Sequence, residues 1–174
     1  MGFSWRKCIR FVIYTIEMVL FFSLQQAPIG KVNGFAINPN LVLVIALSIA
    51  FFESEIAAMG FGVFAGVLMD FGAGLPLFVY TVLLAVICFI AGHLTSNVIR
   101  TNILNMLLFS FVAILFVYGI NFVFFYLLKG YSEVGYALLY NYLPRMISTF
   151  IMSVLFYLFN KSVAIMFRED TQDA

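Results

Sequence analysis

Apolar residues fall into six blocks along the chain, 8–24, 41–52, 56–71, 75–94, 103–128 and 136–159, each ended by charges, proline or glycine. Blocks of this length and composition predict helices that cross a lipid bilayer. A helix rises about 1.5 Å per residue, so a hydrocarbon layer of about 30 Å needs about 20 residues. Two central blocks fall short. The 12 residues of 41–52 reach about 18 Å and the 16 of 56–71 about 24 Å. A turn bearing Glu53 and Glu55 joins them, and one continuous helix of 31 residues would overshoot any bilayer. The expectation is a hairpin of two short helices, with a re-entrant hairpin as the competing form. Short spans need a thinned bilayer, extended flanks or cover from neighbouring helices. The polar stretch QQAPIGKVNGFAINPN reads as a loop with turn chemistry, and the tail KSVAIMFREDTQDA ends acidic and frayed.

Within the segment FFESEIAAMGFGVFAGVLMDFGAG, small residues recur every fourth position: Ser54, Ala58, Gly62 and Gly66, followed in the same register by Asp70 and Gly74. Residues four apart share a helix face, so the pattern draws a smooth stripe that another backbone can approach closely. A partner's helix, or one of the chain's own helices, could occupy it.

Composition then fixes the class. Of the 174 residues, 64% are hydrophobic and only 10% charged, far from the roughly 25% charged residues of soluble domains. The chain is therefore expected to be an all-α membrane protein, a six-transmembrane-helix bundle forming one domain. A net charge of +1 without a basic tract excludes nucleic acid as a partner and leaves membrane lipid. Cys8 and Cys88 form no recognisable pattern and read as inert thiols. Arg6, Lys7 and Arg10 precede the apolar run Phe11–Leu24 as in a secretory signal. Glu17 interrupts that run, and LQQA lacks a cleavage pattern, so a retained anchor is expected.

An even number of spans places both termini on one side. Arg6, Lys7, Arg10, Arg100, Lys161 and Arg168 fall on that side, and Lys31 and Lys129 on the other. The positive-inside rule makes the richer side cytoplasmic. Tyr131, Tyr136, Tyr140 and Tyr142 cluster near the last external loop as an interfacial belt.

Apart from Arg10 and His93 at block ends, three ionisable residues fall inside blocks: Glu17, Asp70 and Arg145. An intramembrane charge is a functional-site hypothesis by default, and an unpaired one is costly. Asp70 and Arg145 both belong to the outer half, so an Asp70–Arg145 ion pair fixing the bundle is expected, with a substrate or proton site as the alternative. Pro144 could bend the last helix and free a carbonyl for the guanidinium. His93 stands at a block end, where a solvated role is expected. Asn121, in the aromatic fifth block, should find a neighbouring helix. No zinc-ligand pair, Ser–His couple or phosphate loop is present, so neither a catalytic centre, a metal nor a cofactor is expected.

The order of features then resembles a known family. Asn38-Pro39-Asn40-Leu41 opens the short second block and Glu53 and Glu55 mark the turn. The run GFGVFAGVLMDFGAGLPL follows, and the next block ends in Ala91-Gly92-His93-Leu94. This resembles the bacterial rod shape-determining protein MreD family, on Asn38, Pro39, Asn40, Glu53, Asp70, Gly74 and Pro76. Phe78 stands where the family commonly has glycine after Pro-Leu. The resemblance implies a non-enzymatic scaffold of the cell-elongation machinery in the bacterial cytoplasmic (inner) membrane, with both termini cytoplasmic. It implies binding to the shape protein MreC through its membrane helix and external domain. MreB and the wall-synthesising polymerase and transpeptidase would be nearby partners in peptidoglycan synthesis, and a second copy of the chain is a further candidate.

The runner-up is the substrate-binding (S) component of an energy-coupling-factor vitamin transporter, which is also a six-helix bundle of this length. Such components resemble this chain in architecture, so fold alone does not separate them. Their first span carries an alanine-spaced docking stripe, whereas FVIYTIEMVLFFSL has neither Ala nor Gly. The polar groups expected on the outer side, Asn33, Asn38, Asn40, Asp70 and Arg145, are few for a tight vitamin pocket.

Overall fold

The computed structural model describes residues 5–26, 31–32, 35–36, 38–73, 78–97, 102–124, 135 and 138–167. Among the described residues, six α-helices make up the fold: α1 (Trp5–Gln26), α2 (Leu41–Ala50), α3 (Glu55–Ala73), α4 (Val79–Asn97), α5 (Ile103–Phe122) and α6 (Leu143–Met166). A π-helical turn, Leu138–Tyr142, leads directly into α6. Two two-residue strands, β1 (Lys31–Val32) and β2 (Phe35–Ala36), pair antiparallel within the polar loop after α1. Five of the helical stretches are long and apolar enough to cross a membrane. The protein is an all-α, multi-pass membrane bundle.

α2 is the exception in length and in burial. Its ten residues reach about 15 Å, and every one of them is buried. It lies among α1, α3, α4 and α6 and also touches α5. A helix apolar on all sides needs burial on all sides, and cover from neighbours is how this short span is accommodated. Its partner in the expected hairpin is not short. α3 includes Glu55 and continues past Asp70 to Ala73, giving 19 residues and about 28 Å.

The N-terminus of α2 is fully provided with acceptors, as helix ends away from water must be. Leu41 N–H donates to the Pro39 carbonyl (3.1 Å) and Val44 N–H to the Asn40 carbonyl (3.4 Å). Val42 N–H donates to Gln25 Oε1 (3.2 Å) and Leu43 N–H to Asn40 Oδ1 (3.3 Å). Asn40 is therefore the N-cap, which gives the Asn-Pro-Asn motif a structural reason. Asn40 N–H in turn donates to Thr149 Oγ1 on α6 (3.0 Å).

The longer helices turn regular faces inward. α1 buries Tyr14, Glu17 and Met18, and α4 buries Tyr80, Leu84, Ile87, Cys88, Ala91 and Gly92. α6 buries Thr149, Ser153, Phe156, Tyr157, Asn160 and Ala164 while exposing Ile147, Ile151, Leu155 and Leu158. Its more polar face is the inner one, as expected where the surroundings are lipid. Pro144 lies in the first turn of α6, directly after the π-helical turn, where its missing N–H costs no hydrogen bond inside the helix.

Candidate functional site

The small-residue stripe is filled from within the chain. α3 and α4 are the most closely packed pair of helices. A Cβ built on Gly62 would lie 2.6 Å from the Leu84 carbonyl oxygen and 2.8 Å from Cys88 Cβ. One built on Gly66 would lie 2.6 Å from the Tyr80 carbonyl oxygen and against Thr81 Cα. Ala58 is fully buried against Gly92, where an added Cβ would come within 2.9 Å of the Ala58 Cβ. Gly92 is thus the reciprocal notch on α4, and the Ala91-Gly92 pair in the sequence was its only signal. Ser54 precedes α3 and is exposed. Gly74 and Pro76 lie outside the described residues.

Asp70 corrects an expectation. It does not pair with Arg145. Its Oδ1 accepts Tyr80 N–H (3.1 Å), and its Oδ2 accepts Thr81 N–H (2.9 Å) and the Thr81 hydroxyl (2.7 Å). α4 begins at Val79, so these are second- and third-position amides, two of the donors that a helix start leaves unsatisfied. The residue before α4, Phe78, has no side-chain acceptor, and Asp70 supplies the cap from α3 instead. A carboxylate is also the charge that the positive end of the α4 dipole favours. The amides and the dipole do for Asp70 what the arginine was expected to do.

Acidic partners are found elsewhere. At the end of the bundle that holds Trp5, here the proximal end, Arg10 Nε lies 2.6 Å from Glu53 Oε1, and Arg10 Nη2 donates to Glu53 Oε2 (2.9 Å). This forked pair, largely shielded from solvent, fastens α1 to the α2–α3 turn. Burial pushes the Glu53 carboxyl up from its ordinary value, while Arg10 and Lys7 pull it down. Beside it, Glu55 Oε1 lies 3.1 Å from His93 Nδ1 and accepts from Ser96 (2.8 Å) and Asn97 (2.9 Å). Deeper in, Asn160 Nδ2 donates to Ser48 Oγ (2.6 Å) and Glu17 Oε1 (3.4 Å), joining α6, α2 and α1. Among the described residues, the acid–base contacts are the Arg10–Glu53 ion pair and the approach of His93 to Glu55. Sequence reasoning missed both.

A polar chamber of about 260 Å³ opens at the other, distal end, beyond the N-terminus of α2. Asn38, Pro39 and Asn40 form one side of it and Arg145 another. Asn121 bridges inside it, donating to the Tyr80 hydroxyl and accepting from the Tyr142 hydroxyl (3.2 Å). This is the neighbour that its place in an apolar block called for. The Tyr118 hydroxyl lies 3.1 Å from Thr149 Oγ1, which donates to the Arg145 carbonyl (2.6 Å). More polar groups converge here than the sequence suggested, because Gln25, Gln26, Tyr118, Asn121 and Tyr142 come from two helix ends and the π-helical turn.

A second, apolar groove of about 270 Å³ lies between α1 and α6, lined by Phe21, Met152, Leu155, Phe156 and Phe159. Phe21 and Phe156 meet edge to face across it, with ring centroids 4.8 Å apart.

No curated relative and no solved structure matches the chain. A family model does: that of the rod shape-determining protein MreD matches residues 5–168, nearly the whole chain. With six apolar helices, an Asn-capped short span and an Asp-capped fourth helix in place, the chain belongs to the rod shape-determining protein MreD family and has a role in rod shape determination.

Proposed function

We propose that this protein is a non-enzymatic scaffold of the elongation machinery, holding the membrane helix of MreC and so fixing where the external domain of MreC acts. MreB and the wall-synthesising polymerase and transpeptidase would be nearby in the same assembly. The family match over residues 5–168 carries this reading. Its setting is the bacterial inner membrane, with the proximal end and both termini in the cytoplasm. The cluster of Arg6, Lys7 and Arg10 at the start of α1 supports that orientation.

Packing within the chain supports one docking face over another. Gly62 and Gly66 are occupied by α4, so the stripe is not free to receive one. The α1–α6 groove offers a concave apolar surface to a single helix, and packing rather than hydrophobicity would drive such contact in lipid.

Co-expression and tandem purification test the proposal. MreC is expected to co-purify with this chain in mild detergent. Met152→Trp, which fills the groove, is expected to reduce recovered MreC at unchanged membrane yield. Absence of MreC from the wild-type eluate overturns the scaffold reading, whereas full recovery with Met152→Trp moves the docking face elsewhere. The distal chamber favours a second reading, small-molecule capture by a transporter S component. A vitamin retained at submicromolar concentration by the purified chain would support it.

A further inference from the structure

Arg145 carries a charge that no carboxylate among the described residues meets. Asp70, the partner its position suggested, spends both oxygens on the start of α4. The Arg10–Glu53 ion pair and the His93–Glu55 contact lie at the proximal end, away from Arg145. Arg145 Nε is buried and has no acceptor. A guanidinium held in a membrane bundle without a counter-charge is unfavourable, and the usual remedies are an anion, a backbone acceptor or water. Here the side chain borders a chamber large enough for a ligand.

The surroundings suit one kind of anion. A guanidinium offers a planar fork of N–H donors that matches the oxygens of a phosphate. The side-chain amides of Gln26, Asn38 and Asn121 border the same space and can donate to ester or hydroxyl oxygens, and the phenol oxygen of Tyr142 can accept from a ligand hydroxyl. Phe22 and Met69 give it an apolar wall. The chamber also lies where α1, α3 and α5 end and α4 and α6 begin, which is the depth of lipid headgroups for spans of this length. The positive end of the α2 dipole points the same way.

We propose that the distal chamber binds a phosphate group, with Arg145 as its counter-ion. A lipid headgroup and free inorganic phosphate share this chemistry, and the test separates them. The full chain is purified in a neutral detergent and stripped of lipid. Its thermal midpoint and native mass spectrum are then recorded with phosphatidylglycerol, with diacylglycerol of the same acyl chains, and with inorganic phosphate.

Phosphatidylglycerol is expected to remain bound and to raise the midpoint where diacylglycerol does not. A rise with inorganic phosphate alone names the free anion as the source. Arg145→Gln is expected to weaken retention about tenfold or more, and Arg145→Lys to restore part of it, since a lysine keeps the charge without the fork. Equal behaviour of phosphatidylglycerol and diacylglycerol together with no effect of phosphate overturns the site, as does wild-type retention by Arg145→Gln. Should Arg145→Gln fail to fold, Asn38→Asp decides the matter at the exposed rim. The added carboxylate is expected to repel the ligand and weaken retention about tenfold, and unchanged retention overturns the proposal.

Discussion

Phe78 has a φ of 47°, in the left-handed region where a side chain crowds the backbone and glycine does not. The resemblance noted in the sequence put glycine at this position, and glycine would adopt this backbone angle without strain. The Phe78 side chain is largely exposed, so little packing offsets the strain. Phe78→Gly is therefore expected to raise stability by about 1 kcal/mol, read as a higher unfolding midpoint in detergent. Eight residues earlier, Asp70 does the capping that Phe78 cannot. Asp70→Ala strands two amides and a hydroxyl at a buried helix start and is expected to cost about 3 kcal/mol. If Asp70→Ala melted like the wild type, water would have to be satisfying those groups.

At the scale of elements, α3 carries glycines of two kinds. A Cβ on Gly60 would meet nothing within 4 Å, while one on Gly66 would meet the backbone of α4. Backbone cannot rotate away as a side chain can. Gly66→Leu is accordingly expected to push α3 and α4 apart and to abolish monodisperse, folded protein in size-exclusion chromatography. Gly60→Ala is expected to be neutral or stabilising by about 0.5 kcal/mol through helix propensity. Similar chromatograms for the two variants would show that the α3–α4 contact tolerates separation. Under the proposed scaffold role, Gly66→Leu is expected to lose MreC only together with the fold, so the α1–α6 groove, and not the stripe, is the place to test partner docking.

For the molecule as a whole, the direction of insertion is the outstanding prediction. The proximal end gathers Arg10 with Glu53 and His93 with Glu55, and the distal end holds the uncharged amides, phenols and Arg145 of the chamber. Arg6, Lys7 and Arg10 all lie in the first turns of α1. Reporter fusions are expected to place both termini in the cytoplasm, with a cytoplasm-active fluorescent protein bright at either end and an export-dependent phosphatase inactive. A phosphatase active at the C-terminus would require an odd number of crossings, and α2, at ten residues, is the helix that would then fail to cross.

Class, helix number and family were legible along the chain because they depend on local quantities. Apolar block length measures a span against bilayer thickness, and the Asn-Pro-Asn, Glu53 and Asp70 positions carry the resemblance to the family. Helix existence needed no knowledge of neighbours. The partners of polar groups did. Asp70 and Arg145 share a depth, yet depth in the membrane says nothing of azimuth. The packing of Gly66 on Thr81 carries Asp70 to the start of α4 and leaves the guanidinium facing a chamber. Arg10 and Glu53 stand 43 residues apart and meet only because α2 is buried beside α1. Sequence alone determined that the chain is a membrane bundle of this family. The tertiary structure decided which helix fills the stripe and which charges are left for a ligand, because both depend on how the helices rotate against one another.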